Sequence, residues 1–240
     1  ETRMLLNAET VAPQISDKTK AVIAVHLYGR VCPMGELRKL CNEKILLLIE
    51  DFSQAHDATF NGKKVGSIGD VSVCSFYPTK PLGALGDGGA ILTSNLELAH
   101  RCRTVANYGW NQRDNTSVAG RNSRLDELQA SFLNVKLKYL NQWNTTRIES
   151  AQKFQSELES GDICHLNVIR SENRDELTRF LNEKGVANLV HYPIPIHKQS
   201  LFNSDETLPI SETLASEVLS VPLNPEVAEL LVSFKEIQKV

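Results

Sequence analysis

The chain has 240 residues, 41% hydrophobic and 23% charged, an ordinary globular composition that allows one large domain or two modest ones. Its 26 basic and 29 acidic residues leave a net charge of −3 with both signs interspersed, which excludes an electrostatic footprint for nucleic acid or an anionic membrane. Five cysteines, Cys32, Cys41, Cys74, Cys102 and Cys164, are odd in number and form no C-x-x-C, so reduced thiols in a cytoplasmic protein are expected rather than a disulfide framework or a zinc site.

In chain order, "ETRMLL" opens without an initiator methionine, as in a processed chain or a fragment of a longer one. No later run approaches bilayer length and no signal peptide is visible, so a soluble protein is expected. "AVIAVHLYG" (21–29) reads as a strand closed by glycine, "MGELRKLCNEK" (34–44) as a helix from the spacing of Met34, Leu37, Leu40 and Cys41, and "ILLLIED" (45–51) as a second strand. Apolar runs buried on both faces and joined by a short helix predict parallel βαβ units with helices covering both faces of the sheet. Strands at 71–76 and 89–93 and a helix at 96–106 continue this α/β pattern. From Ser123 the apolar residues recur every three or four positions behind an S-x-x-D start signal, Ser123 to Asp126, predicting one long helix to about residue 159 that bridges two domains. The large domain is expected at 1–145 and a smaller α+β domain at 146–240, with a strand at 164–170 and helices at 173–185 and 211–220. Pro193 and Pro195 stiffen the loop between the last two.

Lys80 stands in "SFYPTKPLGALGDGGAI", just past a strand end and before Gly83, Gly86, Gly88 and Gly89. These glycines lack the G-x-G-x-x-G spacing and a strand follows them, so no helix N-terminus is offered to a dinucleotide. Two readings stay open: a solvated loop lysine with hairpin glycines, or a lysine facing a ligand that approaches the backbone closely. Asp51 ends "ILLLIED" and is followed by Gln54 and His56, which read as a polar cluster on a strand exit or as an N-cap aspartate with two surface neighbours. Ser75 sits at the next strand end. An acid, an amide, a hydroxyl and a lysine converging beyond the strands would suit pyridoxal phosphate (PLP). The lysine amine bonds the aldehyde, and a carboxylate keeps the pyridine nitrogen protonated as an electron sink. Gln54 can reach the ring oxygen, and Ser75 the phosphate.

"VHLYG", "IEDFSQAHDA", "SFYPTKPLGALGDGGAILT", "GRNSRLDELQASFLNVKL" and "VHYPIPIH", in that order, resemble the sugar aminotransferases of the DegT/DnrJ/EryC1/StrS family. The resemblance implies a fold type I aminotransferase architecture: an α/β large domain with a mainly parallel sheet and a smaller C-terminal α+β domain. It implies that Lys80 carries PLP, that Asp51 faces the pyridine nitrogen, that Gln54 contacts the ring hydroxyl and that Ser75 binds the phosphate. It further implies that Asn122 reaches the phosphate of a neighbouring subunit, giving a homodimer with shared sites, and that His191 and Tyr192 lie near the substrate. Retention of lysine, where the family's dehydratases carry histidine, favours transamination. The implied substrates are a nucleotide sugar, a dTDP-3-keto-6-deoxyhexose aminated at C3, and glutamate as amino-acid donor. Amination at C4 is the second reading, and an inactive fragment serving folding or dimerisation is the alternative from another class. His191 and His197 have no metal-ligand spacing, so no metal is expected. The chain departs from the family pattern in lacking a segment ahead of Glu1, in Asp57 where glycine is usual, in Pro81 where asparagine is common and in a shortened "ESGDICHLNVIR".

Overall fold

The computed structural model describes residues 3–152, 154, 158–202, 204–223 and 225–237. They fall into two units, Thr2–Thr145 with Leu158–His165, and Thr146–Glu157 with Leu166–Val240.

In the first unit a short helix α1 (Ala8–Val11) precedes β1 (Ala21–Val25), α2 (Met34–Lys44) and β2 (Leu47–Asp51), and β1 and β2 pair in parallel. The helical spacing read in the sequence does the packing: Met34, Leu37 and Cys41 turn onto Val22, Ala24 and Leu48 of the two strands. A small antiparallel hairpin, β3 (Thr59–Phe60) and β4 (Lys63–Lys64), leads to β5 (Val71–Ser75), parallel to β2. β6 (Gly89–Leu92) then pairs antiparallel with β5, giving the order β1-β2-β5-β6. The expected run of parallel strands therefore stops at β6. No crossover helix separates β5 from β6, and the chain turns straight back through the Lys80 loop.

Strand alternation buries Val22, Ala24, Leu48, Glu50 and Ser72 on the face that α2 covers. The other face differs from the expected burial on both sides. Among the described residues it leaves Ile23 at 53%, Leu47 at 55% and Ile91 at 55% exposure. Asp51 and Ser75 have the parity of this open face.

After β6 come α3 (Leu96–Ala106), whose N-cap Asn95 accepts the Leu98 N–H at 3.0 Å, and a hairpin of β7 (Trp110–Gln112) with β8 (Asn115–Thr116). The single long helix expected from Ser123 is two helices, α4 (Glu127–Leu137) and α5 (Leu140–Gln152). Between them the bonding tightens to three-residue turns, Lys138 N–H to Val135 O at 3.3 Å and Tyr139 N–H to Lys136 O at 3.0 Å, which ends α4 while the apolar spacing runs on. The cap is Asp126 rather than Ser123, whose N–H is taken by the Ala106 carbonyl at 2.9 Å. Residues 153 and 155–157 lie outside the described residues, and Leu158 and Glu159, where the expected helix would have ended, are not helical.

Leu158–His165 return to the first unit. Gly161 O accepts the Thr59 N–H and Ile163 N–H donates to Gly29 O, both at 2.9 Å. The buried Asp162 carboxylate accepts the Val31 N–H at 2.8 Å and two hydrogen bonds from Arg3 Nη2, at 3.0 and 2.9 Å. An otherwise irregular segment is thereby fixed by a charge-assisted network.

The second unit pairs β9 (Asn167–Arg170) antiparallel with β10 (Val218–Val221) and contains α6 (Arg174–Glu183), α7 (Pro209–Glu217) and α8 (Pro225–Ile237). Leu177, Leu181, Leu219, Val221, Val227 and Phe234 form its core. Residues 218–220, expected at the end of a helix, are strand. Their backbone pairs with β9 and, through Ser220, with Leu189, and these tertiary bonds override the local helical spacing.

Candidate active site

Asp51 is the last residue of β2 and Ser75 the last of its neighbour β5. This carboxyl end of a parallel pair is where loops of an open α/β sheet gather around ligands. Asp51 is not a helix N-cap. Its Oδ1 accepts the Ser53 N–H at 2.9 Å in a local turn, and Ser53 Oγ accepts the Ser75 N–H at 2.9 Å, which ties the two strand ends together. Ser75 Oγ accepts the Tyr77 N–H at 3.1 Å, so its own proton points to another acceptor. Gln54 is buried, and its Oε1 accepts the Tyr28 N–H at 2.6 Å. Tyr28 makes this bond from a left-handed conformation, φ 61°, followed by Gly29 at φ 98°, where a Cβ would run into the Ile163 carbonyl. "HLYG" is thus the bend that aims a backbone donor at Gln54.

The loop carrying Lys80 is closed at its base, with Phe76 N–H bonded to Gly88 O and Ala84 N–H to Phe76 O, both at 2.7 Å. Gly83 permits the closure, because a Cβ there would run into the Pro78 carbonyl. Helix α4 clamps the far side. Gln129 Oε1 accepts the Leu85 N–H at 2.8 Å, Lys136 Nζ donates to the Gly83 carbonyl, and Leu82 and Ala84 pack with Leu133 and Leu140. The "LDELQASFLNVKL" stretch therefore holds the lysine loop in place. Lys80 itself is half-buried, and its amine has no hydrogen bond or ion pair among the described residues.

Three residues behind the site carry structure that the sequence did not announce. Glu50, next to Asp51 but on the buried face, accepts the N–H groups of Gly66, Ile68 and Gly69 at 2.8, 2.7 and 2.5 Å. It also accepts from His26 Nε2 at 3.3 Å, and His26 Nδ1 accepts the Cys32 N–H at 3.1 Å, which places the single imidazole proton on Nε2. Burial pushes the Glu50 carboxyl up, but the His26 and backbone hydrogen bonds outweigh it and hold the group down at about 2. The signal was an acid at the inward register of an apolar run. His56 is buried at 3% exposure, stacked on Phe76 at 5.9 Å and edge-on to Phe52 at 5.7 Å, and is not a surface neighbour of Asp51. Burial first, then the Lys80 charge, push its imidazole down to about 4 against the pull of Asp51.

Asn122 is elsewhere in this unit. It bridges Asn107, accepts from Arg124 Nε at 2.8 Å and lines an open cleft of about 1300 Å³ with Val73, Cys74, Ile91, Cys102 and Arg103, a cleft that none of Asp51, Gln54, Ser75 and Lys80 lines. His191 and Tyr192 belong to the second unit, where His191 Nδ1 is hydrogen-bonded to Ser220 Oγ at 2.7 Å and burial lowers its pKa. The five cysteines are free thiols, and burial pushes Cys74 up to about 11. Among the described residues no group of His, Cys, Asp and Glu is arranged to hold a metal ion, and no helix is long and apolar enough to cross a membrane.

The sequence profile of the DegT/DnrJ/EryC1/StrS aminotransferase family matches residues 1–233. The chain belongs to that family. Within the DegT/DnrJ/EryC1/StrS family it is 41% identical to the dTDP-3-amino-3,6-dideoxy-alpha-D-galactopyranose transaminase of Aneurinibacillus thermoaerophilus over 96% of this chain and 66% of that protein. S. venezuelae DesV, whose crystal structure holds a ketimine intermediate, superposes with a TM-score of 0.91 at 35% identity, covering 96% of this chain and 69% of that one. NtdA of Bacillus subtilis, with bound cofactor PMP, gives 0.86 at 29% identity over 95% of this chain and 59% of that one. The chain spans 61–66% of the length of the first curated family members it matches. The fold is that of the family, mixed α/β with a mainly parallel sheet.

Proposed function

We propose that this chain serves PLP-dependent transamination of a nucleotide-linked keto sugar, a dTDP-3-keto-6-deoxyhexose aminated at C3 with glutamate as donor. The observation that carries the reading is the set of groups gathered beyond β2 and β5: a carboxylate, a buried amide, a hydroxyl with its proton to give and an unpaired lysine amine. Their chemistry fits the cofactor. Asp51 would hold a proton on the pyridine nitrogen, Gln54 would meet the ring oxygen and Ser75 would donate to the phosphate. Bound there, PLP supplies the electron sink that a transamination needs. Lys80 would anchor the cofactor and, once displaced by the donor amine, move the proton between donor and acceptor carbons. The A. thermoaerophilus relative, named for a 3-amino sugar, supports amination at C3.

On this reading the enzyme is a cytoplasmic homodimer with shared sites, Asn122 serving the partner's phosphate and His191 and Tyr192 lying on the substrate loop. The free thiols support a reducing compartment. Incubation of the intact protein with PLP, borohydride reduction and peptide mass mapping should label Lys80 alone, and glutamate with a keto sugar should then turn over. Label on another lysine would overturn the assignment.

A further inference from the structure

Helix α4 is apolar on two sides. On the inner side Leu133 packs with Leu82, Ala84 and Leu140, beside the bonds that Gln129 and Lys136 make to the Lys80 loop. A second row, Leu128, Phe132, Val135 and, just past the helix end, Tyr139, recurs at four, three and four residues, which puts these side chains in one stripe along the helix. That stripe is open: Leu128 is 66% exposed, Phe132 39%, Val135 56% and Tyr139 50%. Scattered exposed apolar residues are ordinary, but a continuous row ending in a tyrosine stacked on Trp143 at 5.9 Å is a face built to be covered. Its charges are ordered too. Glu127 near one end and Lys138 near the other are both exposed and lie on the same flank of the stripe, about a quarter turn from it.

We propose that this stripe is the contact face between two copies of the chain, packed as antiparallel helices about a two-fold axis. A two-fold face must complement itself, and this one does. A two-fold centred midway along the stripe sets Leu128 against the partner's Tyr139 and Phe132 against the partner's Val135. Antiparallel helices meet along like flanks, so the same axis brings Glu127 within a turn of the partner's Lys138, twice in each dimer. Parallel packing would instead set like charge on like at both ends, which costs affinity. The antiparallel arrangement also carries the Asn122 end of one α4 toward the end of the other where Lys136 holds Gly83 of the Lys80 loop, the direction that a shared site needs. The inference rests on the homodimer of the reading above, and not on the cofactor.

The test is the oligomeric state of the intact protein, by light scattering and sedimentation across a dilution series. The wild type should be a dimer. Phe132→Asp alters an exposed position and leaves the inner row in place, so it should keep the wild-type circular dichroism spectrum while raising the dimer dissociation constant about 100-fold or more. Glu127→Lys alone and Lys138→Glu alone should each weaken the dimer about threefold, and the two together should recover the wild-type constant as opposite charges face each other again. Leu128→Cys protein mixed with Tyr139→Cys protein should give a bismaleimide cross-link between those two positions on different chains, read by peptide mapping. A monomeric wild type, a dimer indifferent to Phe132→Asp, a double exchange no better than either single one, or Leu128→Cys captured by another segment of its own chain overturns the proposal, the last by assigning the face to that segment. Labelling of Lys80 with PLP is scored separately, and its failure overturns the cofactor reading while leaving the interface standing.

Discussion

Replacing Glu50 by glutamine should destabilise the first unit by an amount its hydrogen bonds already fix. An ordinary glutamate titrates near 4.5 and this one is held at about 2. At about 1.4 kcal/mol per pH unit, that gap corresponds to about 3 kcal/mol of folding stability carried by the ionised form. Because the folded value is depressed, the contribution is complete above about pH 4.5 and is lost as pH falls through about 2. Glutamine keeps one acceptor oxygen and turns its NH2 toward the remaining donors among Gly66, Ile68, Gly69 and His26, so the loss at pH 7 should be about 3 kcal/mol. Urea titrations of the intact protein at pH 7, 4 and 2.5, with hydrogen exchange at the Gly66 and Ile68 amides reporting on this unit alone, would measure it. The gap between wild type and variant should narrow steadily as pH falls, while other carboxylates such as Asp70 cancel in the difference. A loss under about 1 kcal/mol at pH 7, or a gap that does not change with pH, would refute the reasoning.

Asp51→Asn should leave PLP binding largely in place and slow transamination by about 100-fold or more, because an amide cannot hold the pyridine proton by charge. Near-normal turnover would remove Asp51 from its role. If Asn122 serves the partner subunit's phosphate in a homodimer, as proposed, an inactive Lys80→Ala subunit mixed with an inactive Asn122→Asp subunit should regain activity, since each mixed dimer would have one pocket with both defects and one with neither. If Asn122 serves its own subunit, every pocket keeps a defect and the mixture stays dead.

Where local pattern and tertiary need coincide, the sequence was legible to the residue. The helices at Met34–Lys44 and Leu96–Ala106 have the bounds that their apolar spacing indicates, the second opened by a capping Asn95. Where the two conflict, tertiary bonding prevailed. Val218–Val221 carry helix-compatible spacing but pair with Asn167–Arg170, and the break at Lys138 and Tyr139 contains neither glycine nor proline to mark it. The site divides in the same way. Asp51, Gln54, Ser75 and Lys80 could be picked out because each ends or follows an apolar run. The burial of Glu50 and His56 and the left-handed turn at Tyr28 could not, because they depend on contacts such as Glu50 with the Gly66 amide and Tyr28 with Gln54, 16 and 26 residues apart in the chain.

The return of Leu158–His165 to the first unit also sets a timetable for synthesis. Until Asp162 has cleared the ribosome, Arg3 and the Val31 amide lack their acceptor, and the backbones of Gly29 and Thr59 lack their partners. At about 5–20 residues per second, translating from Thr145 to His165 takes about 1–4 s, during which the sheet can pair but these bonds cannot form. Slow codons between those positions would prolong the exposure of a half-finished unit without changing a single amino acid.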